Sequence, residues 1–325
     1  MREYELEVLE RYETGVKGTR RIRGAFFCDT EEGARLLKET NISEKRALSM
    51  YLVQSRLEAA GMLVDTPVFT KDGEILAVSR DGTKYMMKKW YSGRECDMKR
   101  ESELARAAAN LAVLHRKLNQ ESAVVLNGEA EGLSVRRSPL EEIRRHNREL
   151  KKVRTFIRKR VAKNEFEFLF LNSFEKMYAM AEAVEKQLEE SGCMELYRQS
   201  VEKGRLTHGD YNYHNLLILP GGTAVTGFEH MGINIQVHDL YYFTRKAMEK
   251  FHWKENTGRI ILEAYEKERE LENAERKYIG LSLAYPEKFW KTASSYYHSN
   301  KAWLPEKCVE KLELSVRQSE EKYDF

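Results

Sequence analysis

The first quarter of the chain alternates short apolar segments with glycine-containing turns, and this pattern predicts a small β-sheet. Asp72-Gly73 and Asp81-Gly82 are strong signals for tight hairpin turns, because glycine accepts the positive φ angles that such turns require. Over residues 20–88 we predict one helix and a five-stranded antiparallel sheet, with strands at residues 20–28, 34–38, 67–71, 74–78 and 83–88.

The single helix of this region is predicted at residues 41–60. Asn41 followed by Glu44 has the spacing of a capping box, and Gly61 is the expected residue after the helix end. The apolar stripe expected to face the sheet consists of Leu48, Tyr51, Leu52 and Ala59.

The rest of the chain has apolar residues at helical spacing over long stretches. Helices are predicted at residues 98–119, 143–163 and 177–190, and residues 166–174 are expected to lie in the core. Beyond residue 237 the chain is predicted to be helical, with breaks at Pro286 and Pro305. The pattern therefore predicts an N-lobe at residues 1–89, a hinge at residues 90–97 and a helical C-lobe at residues 98–325.

Composition narrows the class of protein without fixing its function. Charged residues make up 33% of the 325 residues and hydrophobic ones 42%, which is typical of a globular protein. The net charge of +3 is too small to imply a polyanionic partner, and no apolar run approaches a membrane span. The N-terminus lacks the apolar core of a signal peptide, so we expect a cytoplasmic protein. The sequence contains no Cys-x-x-Cys pair, so neither a zinc site nor a disulfide framework is predicted. The cysteines are Cys28, Cys96, Cys193 and Cys308.

Residues 208–215 carry the clearest chemistry in the chain. Asp210 stands five residues before Asn215, on a predicted loop that leads into an apolar strand. Phosphoryl transfer needs this arrangement: one carboxylate accepts the proton of an attacking hydroxyl, and a nearby amide oxygen holds a metal ion on the phosphates. The alternative is a loop whose Asp and Asn only cap turns. The first interpretation is favoured, and it predicts a bilobal, protein-kinase-like α+β fold with an antiparallel-sheet N-lobe and a mostly helical C-lobe.

Three further positions would complete a nucleotide site of this kind. Lys38 ends a predicted strand, where a kinase N-lobe places the lysine that pairs with phosphates; an exposed strand-end lysine is an equal alternative. Trp90 and Tyr91 open the predicted hinge, where an adenine ring would stack and bind the backbone. Glu44 and Glu58 lie near the ends of the predicted helix, so a lysine–glutamate pair in its middle is in doubt.

Residues 143–163 form a strongly basic segment with an apolar helical stripe. The favoured interpretation is a solvated helix face, and docking to an acidic protein or to nucleic acid is the alternative. Because no nucleic-acid motif accompanies the segment, nucleic acid is the least favoured partner.

Four stretches resemble the CotS-type spore coat protein family, which has the aminoglycoside-phosphotransferase-like fold. They are Trp90-Tyr91-Ser92-Gly93-Arg94-Glu95-Cys96-Asp97, the loop at residues 208–215, Val237-His238-Asp239-Leu240, and the aromatic segment at residues 285–305. The last is the most specific, because its aromatic pattern has no general kinase meaning. Taken as sequence alone, Trp290, Tyr297 and Trp303 are expected to pack into the helical lobe.

The resemblance implies roles for individual residues. Asp210 would be the catalytic base, Asn215 a magnesium ligand and Lys38 the phosphate-pairing lysine, with His208 and Asp239 bracing the loop. The family pattern departs at Gly227, where an Asp normally bridges metal and phosphates. Glu229 is the candidate substitute ligand, with His230 as the alternative; strand-like alternation would direct Gly227 and Glu229 to one face at different depths.

These observations favour a kinase-like spore coat component, a pseudokinase with weak or absent phosphotransferase activity and weak or absent binding of ATP and Mg²⁺. It would be made in the mother-cell cytoplasm and then incorporated into the coat through contacts with other coat proteins. The alternative is an active ATP-dependent phosphotransferase acting on a small hydroxylated substrate.

Overall fold

The computed structural model describes residues 3–22, 24–299 and 306–322. The chain divides into two compact units. The first contains Met1–Arg136, Ser200–Asp239 and Glu263–Arg269, and the second contains Arg137–Gln199, Leu240–Leu262 and Glu270–Phe325.

The first unit is built on a six-stranded antiparallel sheet that follows helix α1 (Glu3–Glu10). The predicted strand at residues 20–28 is in fact two paired strands, with Gly24 at a φ of 77° between them. The segment predicted at residues 74–78 contributes only its last two residues to the sheet. The strands of the sheet are β1 (Val16–Ile22), β2 (Ala25–Thr30), β3 (Gly33–Glu39), β5 (Pro67–Val68), β6 (Ala77–Val78) and β7 (Lys84–Lys89), and the intervening β4 (Leu63–Val64) belongs to another sheet.

Helix α2 (Glu44–Ala59) differs from its sequence-based prediction in cap and in buried face. Ser43 is the N-cap, because its hydroxyl accepts the Arg46 N–H at 3.2 Å. Leu48 of the predicted stripe is 42% exposed. The buried apolar face consists of Ala47, Met50, Val53 and Leu57.

Two smaller sheets carry the loops at residues 208–215 and 226–231, which connect strands of one sheet to strands of the other. Strand β4 pairs in parallel with β11 (Gly222–Val225), which pairs with β10 (Leu216–Leu219), and β10 pairs with β8 (Arg94–Glu95). Strand β9 (Leu206–Thr207) pairs with β12 (Gly232–Ile233). The loop at residues 208–215 therefore runs from β9 to β10, and the loop at residues 226–231 runs from β11 to β12. Helices α3 (Glu101–Gln120) and α4 (Ser122–Leu126) complete this part of the chain.

Beyond these elements the chain is mostly helical, as the periodicity predicted. One buried core cluster of this part contains Phe166, Phe170, Phe289 and Tyr296. Trp290 and Tyr297 are partly buried against that core, and Trp303 lies outside the described residues. The helices are α5 (Pro139–Lys159), α6 (Glu165–Glu190), α7 (Cys193–Glu202), α8 (Val237–Lys250), α9 (Glu255–Glu266), α10 (Asn273–Ala284), α11 (Glu287–His298) and α12 (Glu306–Glu321).

The basic segment lies on helix α5, where several of its charges are neutralised by acids of helix α6. Arg144 pairs with Glu185 at 3.2 Å, and Arg154 pairs with Glu175. These intramolecular pairs leave less of the segment's charge for an external anion. Within the part of the chain that is described, no helix is both long and apolar enough to cross a bilayer.

Candidate functional site

The residues predicted to form the site all lie in the first compact unit. Asp210 follows β9 on a loop that Gly209 allows to form, because Gly209 has a φ of 81° and a Cβ there would lie 2.1 Å from the His230 carbonyl oxygen. The Asp210 carboxylate accepts hydrogen bonds from the Asn212 amide at 2.8 Å and from the Asn215 amide at 3.0 Å. Two side-chain amides therefore orient this carboxylate.

Asp239 binds the backbone at the start of the loop at residues 208–215. Its carboxylate is 1% exposed and accepts the backbone N–H groups of His208 at 2.7 Å and Gly209 at 2.9 Å. Burial would raise the pKa of Asp239, but the hydrogen bond and charge of His115 and the other contacts hold it below its ordinary value. His115 is buried between Asp239 (3.4 Å) and the Tyr265 hydroxyl (2.7 Å).

His208 connects the two loops of the site. Its Nδ1 accepts the Asp210 N–H at 3.2 Å, so the ring proton belongs on Nε2, which lies 3.0 Å from the Thr226 carbonyl oxygen. Burial lowers the pKa of His208, which favours this neutral form. The residue positions backbone groups rather than a substrate.

Lys38 is the next-to-last residue of strand β3 and contacts Glu229 of the loop at residues 226–231. Its ammonium lies 3.2 Å from Glu229 Oε1, and its side chain is 47% exposed. Among the described ion pairs, no glutamate of helix α2 pairs with Lys38, and Glu58 of that helix pairs with Lys89 instead. The predicted lysine is therefore at the site, and Glu229 is its acidic partner.

Two buried residues that the sequence analysis missed dominate the electrostatics here. Lys88, on β7, has a side chain only 2% exposed, with Nζ 2.9 Å from Asp65 Oδ2 and 2.8 Å from Glu229 Oε1. Asp65 lies between β4 and β5, is 1% exposed, and also accepts the Gln54 amide at 2.8 Å and the Gly227 N–H at 2.9 Å. All three groups around Asp65 are donors, so its carboxylate acts purely as an acceptor.

Lys88 and Glu229 keep each other charged despite burial, whereas burial and the charge of Glu229 raise the pKa of Asp65 against the effect of Lys88. The three donors around Asp65 nevertheless favour its ionised carboxylate. Desolvation alone would lower the pKa of Lys88, but Asp65 and Glu229 raise it above its ordinary value. Desolvation would likewise raise the pKa of Glu229, and Lys88 and Lys38 hold it well below its ordinary value. Lys88 is thus a permanent cation and Glu229 a permanent anion at neutral pH. The position of Lys88 directly after the apolar run Tyr85-Met86-Met87 was the one sequence signal that this lysine could be buried.

The residues present do not fit the divalent metal that a phosphotransferase site requires. Gly227 has a φ of 83°, and a Cβ there would lie 2.8 Å from the Asn215 carboxamide, which occupies the space of an acidic side chain. The Asn215 amide donates to Asp210, and Glu229 Oε1 already contacts two ammonium groups. Residues Phe228–His230 form a 3-10 turn, so the expected strand-like alternation of Gly227 and Glu229 is wrong. Among the described residues, no group of three or more His, Cys, Asp or Glu side chains could hold a metal ion.

A cavity of about 410 Å³ lies beside this cluster. Lys38, Asn215, Trp90 and Tyr91 all line it, so four of the predicted site residues meet at one cavity. Tyr91 donates its hydroxyl to the Val64 carbonyl oxygen at 3.0 Å, and burial raises its pKa to about 12. The apolar part of the wall is formed by Ile22, Ala25, Phe27, Leu36 and Leu217.

Comparison with solved structures defines the class of fold. An aminoglycoside phosphotransferase from Alicyclobacillus acidocaldarius is similar over 98% of this chain and 93% of that chain, with a TM-score of 0.84 and 16% identity. A spectinomycin phosphotransferase solved with ADP and spectinomycin gives a TM-score of 0.69 at 11% identity, over 99% of this chain and 98% of that chain. An amicoumacin kinase solved with AMP-PNP and Ca²⁺ gives 0.64 at 14% identity, over 100% of this chain and 94% of that one.

These likenesses confirm the predicted kinase-like, aminoglycoside-phosphotransferase fold. No protein-family model and no curated protein matches the chain. The particular role of the protein therefore has to be argued from its site.

Proposed function

We propose that this chain is a kinase-like protein with weak or absent phosphotransferase activity that serves as a component of the bacterial spore coat. One observation supports the loss of activity above all others. Gly227 occupies the place of the principal metal ligand, and the nearby carboxylates of Asp65 and Glu229 are both bound to the buried Lys88 ammonium.

Charge neutralisation is the energetic reason to expect weak activity. A nucleoside triphosphate brings about four negative charges, and phosphoryl transfer relies on metal ions to offset them. Magnesium prefers carboxylate oxygens in octahedral geometry and otherwise keeps its waters. Glu229, the acid nearest to the cavity lysine, already contacts the ammonium groups of both Lys38 and Lys88, so it has little capacity left for a metal.

The coat role rests on the four sequence stretches that resemble the CotS-type family. The aromatic segment is the most specific of them, and its residues Phe289 and Tyr296 are buried in a helical core. Trp290 and Tyr297 remain partly exposed beside them, so the same helix has aromatic surface that other coat proteins can contact. Such a protein would be made in the mother-cell cytoplasm and retained in the coat.

The coat role is tested by following a tagged chain in its sporulating host. We expect the protein in the extracted coat fraction, and we expect Asp210→Asn to accumulate there equally, because a coat component does not need the catalytic base. A protein that stays in the mother-cell cytoplasm throughout sporulation would disprove this assignment.

An active phosphotransferase on a small hydroxylated molecule is the second candidate, and the geometry of Asp210 favours it. This carboxylate is partly exposed and oriented by two amides, as a base that accepts the proton of a substrate hydroxyl would be. ATP consumption stimulated by an amino alcohol or aminoglycoside, and lost in Asp210→Asn, would establish this activity. We expect no such stimulation in the unchanged protein.

A further inference from the structure

The cluster around Lys88 is a chain of alternating charges. Asp65, Lys88, Glu229 and Lys38 follow one another with nitrogen–oxygen distances of 2.9, 2.8 and 3.2 Å. Two carboxylates and two ammonium groups sum to zero. We propose that the Lys88 ammonium is the fixed cation of this site, occupying the point between two carboxylates that a divalent metal would otherwise take.

This inference deepens the proposed function, since it gives a physical cause for the loss of metal binding at the same site. The loss of an acid at position 227 would by itself only weaken a metal site. A resident ammonium does more, because it satisfies the remaining acids and repels any second cation within a few ångströms.

The backbone around Lys88 holds the ammonium in place. Lys88 pairs with Leu36 of β3 on one side and with Pro67 of β5 on the other, so its strand lies inside the sheet. Asp65 is fixed in turn by the Gln54 amide and the Gly227 N–H. A side chain that is 2% exposed on an interior strand cannot turn aside for a metal without taking the cation away from the buried Asp65 carboxylate and leaving Glu229 with Lys38 alone.

The same geometry predicts what removal of the ammonium would expose. In Lys88→Met the stem is replaced by an apolar side chain of similar length, while Asp65 Oδ2 and Glu229 Oε1 still face the point where Nζ lay. The buried Asp65 then lacks its cationic partner while Glu229 keeps Lys38, and a divalent cation at that point would stabilise both carboxylates. The substitution should therefore convert a metal-independent site into a metal-binding one.

The experiment measures Mn²⁺ binding by electron paramagnetic resonance and thermal unfolding with and without MnCl₂. We expect the unchanged protein to show neither a bound Mn²⁺ signal nor a shift in Tm. Lys88→Met should unfold at a lower temperature without metal, regain stability with Mn²⁺, and bind it about ten-fold or more tightly than the unchanged chain, because a unit charge has been removed from the site.

Lys38→Met is the matched control. It is the same chemical change at the other lysine that contacts Glu229 Oε1, but Lys38 is half-exposed and no contact to Asp65 is seen. We expect it to gain no Mn²⁺ binding.

Two results would overturn the inference. One is a Mn²⁺ site in the unchanged protein that Glu229→Gln abolishes, which would show that metal and Lys88 coexist. The other is a Lys88→Met protein that Mn²⁺ neither binds nor stabilises, whether or not it folds. If the unchanged protein has a Mn²⁺ site but no phosphotransferase activity, only this inference is disproved. If the unchanged protein transfers phosphate without a Mn²⁺ site, only the proposed function is disproved.

Discussion

Arg46 connects helix α2 to the loop at residues 226–231, and its removal should loosen that loop. The guanidinium donates to the Glu229 carbonyl oxygen from Nε (3.1 Å) and Nη2 (2.8 Å), and to the carbonyl oxygen of Met231 (2.6 Å). It also donates to the Gly132 carbonyl oxygen at 3.2 Å. Burial lowers the pKa of Arg46 somewhat, but arginine stays charged at any ordinary pH.

The expected cost follows from the burial of the three carbonyl groups. A buried acceptor left without a donor costs about 1–3 kcal/mol, and one that water can reach costs much less. Met231 is buried, whereas Gly132 and Glu229 are only partly so. We therefore expect Arg46→Met to destabilise this unit by about 2–3 kcal/mol, with Arg46→Lys losing about half as much because an ammonium can still reach one or two carbonyls.

Hydrogen exchange is the appropriate measurement, because a chain with two compact units need not unfold in one step. Amides of residues 228–233 should exchange faster in Arg46→Met than in the unchanged protein, while helix α6 in the second unit exchanges as before. Unchanged protection at residues 228–233 would show that the sheets hold this loop without the arginine.

Two further predictions concern the second unit. His146 is buried and stacked on Trp290 with ring centroids 3.3 Å apart, and burial lowers its pKa to about 4. The folded protein favours the neutral ring, so the stability that His146 contributes is present above its unfolded pKa and is lost as pH falls. The free energy of unfolding should be about 2 kcal/mol lower at pH 5 than at pH 7. His146→Phe should flatten that part of the plot of stability against pH. A pH dependence identical in both proteins would refute the assignment. Phe289→Ala should cost about 3–5 kcal/mol, and Trp290→Ala, which truncates a partly exposed ring, about 2 kcal/mol; equal costs in urea denaturation would contradict the burial described.

The fold could be predicted from the sequence, and so could four residues that line one cavity, because those features depend on local patterns. Glycine turns marked the hairpins, and the spacing of Asp210 and Asn215 marked the loop. Lys38 was predicted from its position at a strand end, and Trp90 and Tyr91 from their position in the hinge; all three line one cavity with Asn215.

The features that were missed depend on contacts between distant residues. Lys88 and Asp65 are 23 positions apart and Lys88 and Glu229 are 141 apart, so no local pattern indicates that one ammonium binds both acids. The rotation of helix α2 was misjudged for a related reason. Arg46 and Gln54 bind distant backbone and carboxylate groups, and those polar contacts direct Leu48 outward despite its hydrophobicity.

The backbone at Gly227 could not be predicted either, and it makes the effect of restoring the missing acid testable. Its φ of 83° costs a residue with a side chain about 1–2 kcal/mol, although Asp and Asn tolerate this conformation better than most. Gly227→Asp and Gly227→Asn should therefore lose similar stability in thermal denaturation. Only the Asp variant adds a carboxylate, and with Lys88 in place we expect it to gain little Mg²⁺ affinity.

Calorimetric titration of the unchanged protein with Mg-ATP decides whether this kinase-like site binds nucleotide through a metal. We predict no binding tighter than about 1 mM, the upper end of the range in which enzymes bind their substrates. Removing Mg²⁺ with a chelator should not weaken whatever binding remains. Tight ATP binding that requires Mg²⁺ and disappears in Glu229→Gln would contradict the account, because it would show that Glu229 leaves Lys88 and serves as the metal ligand.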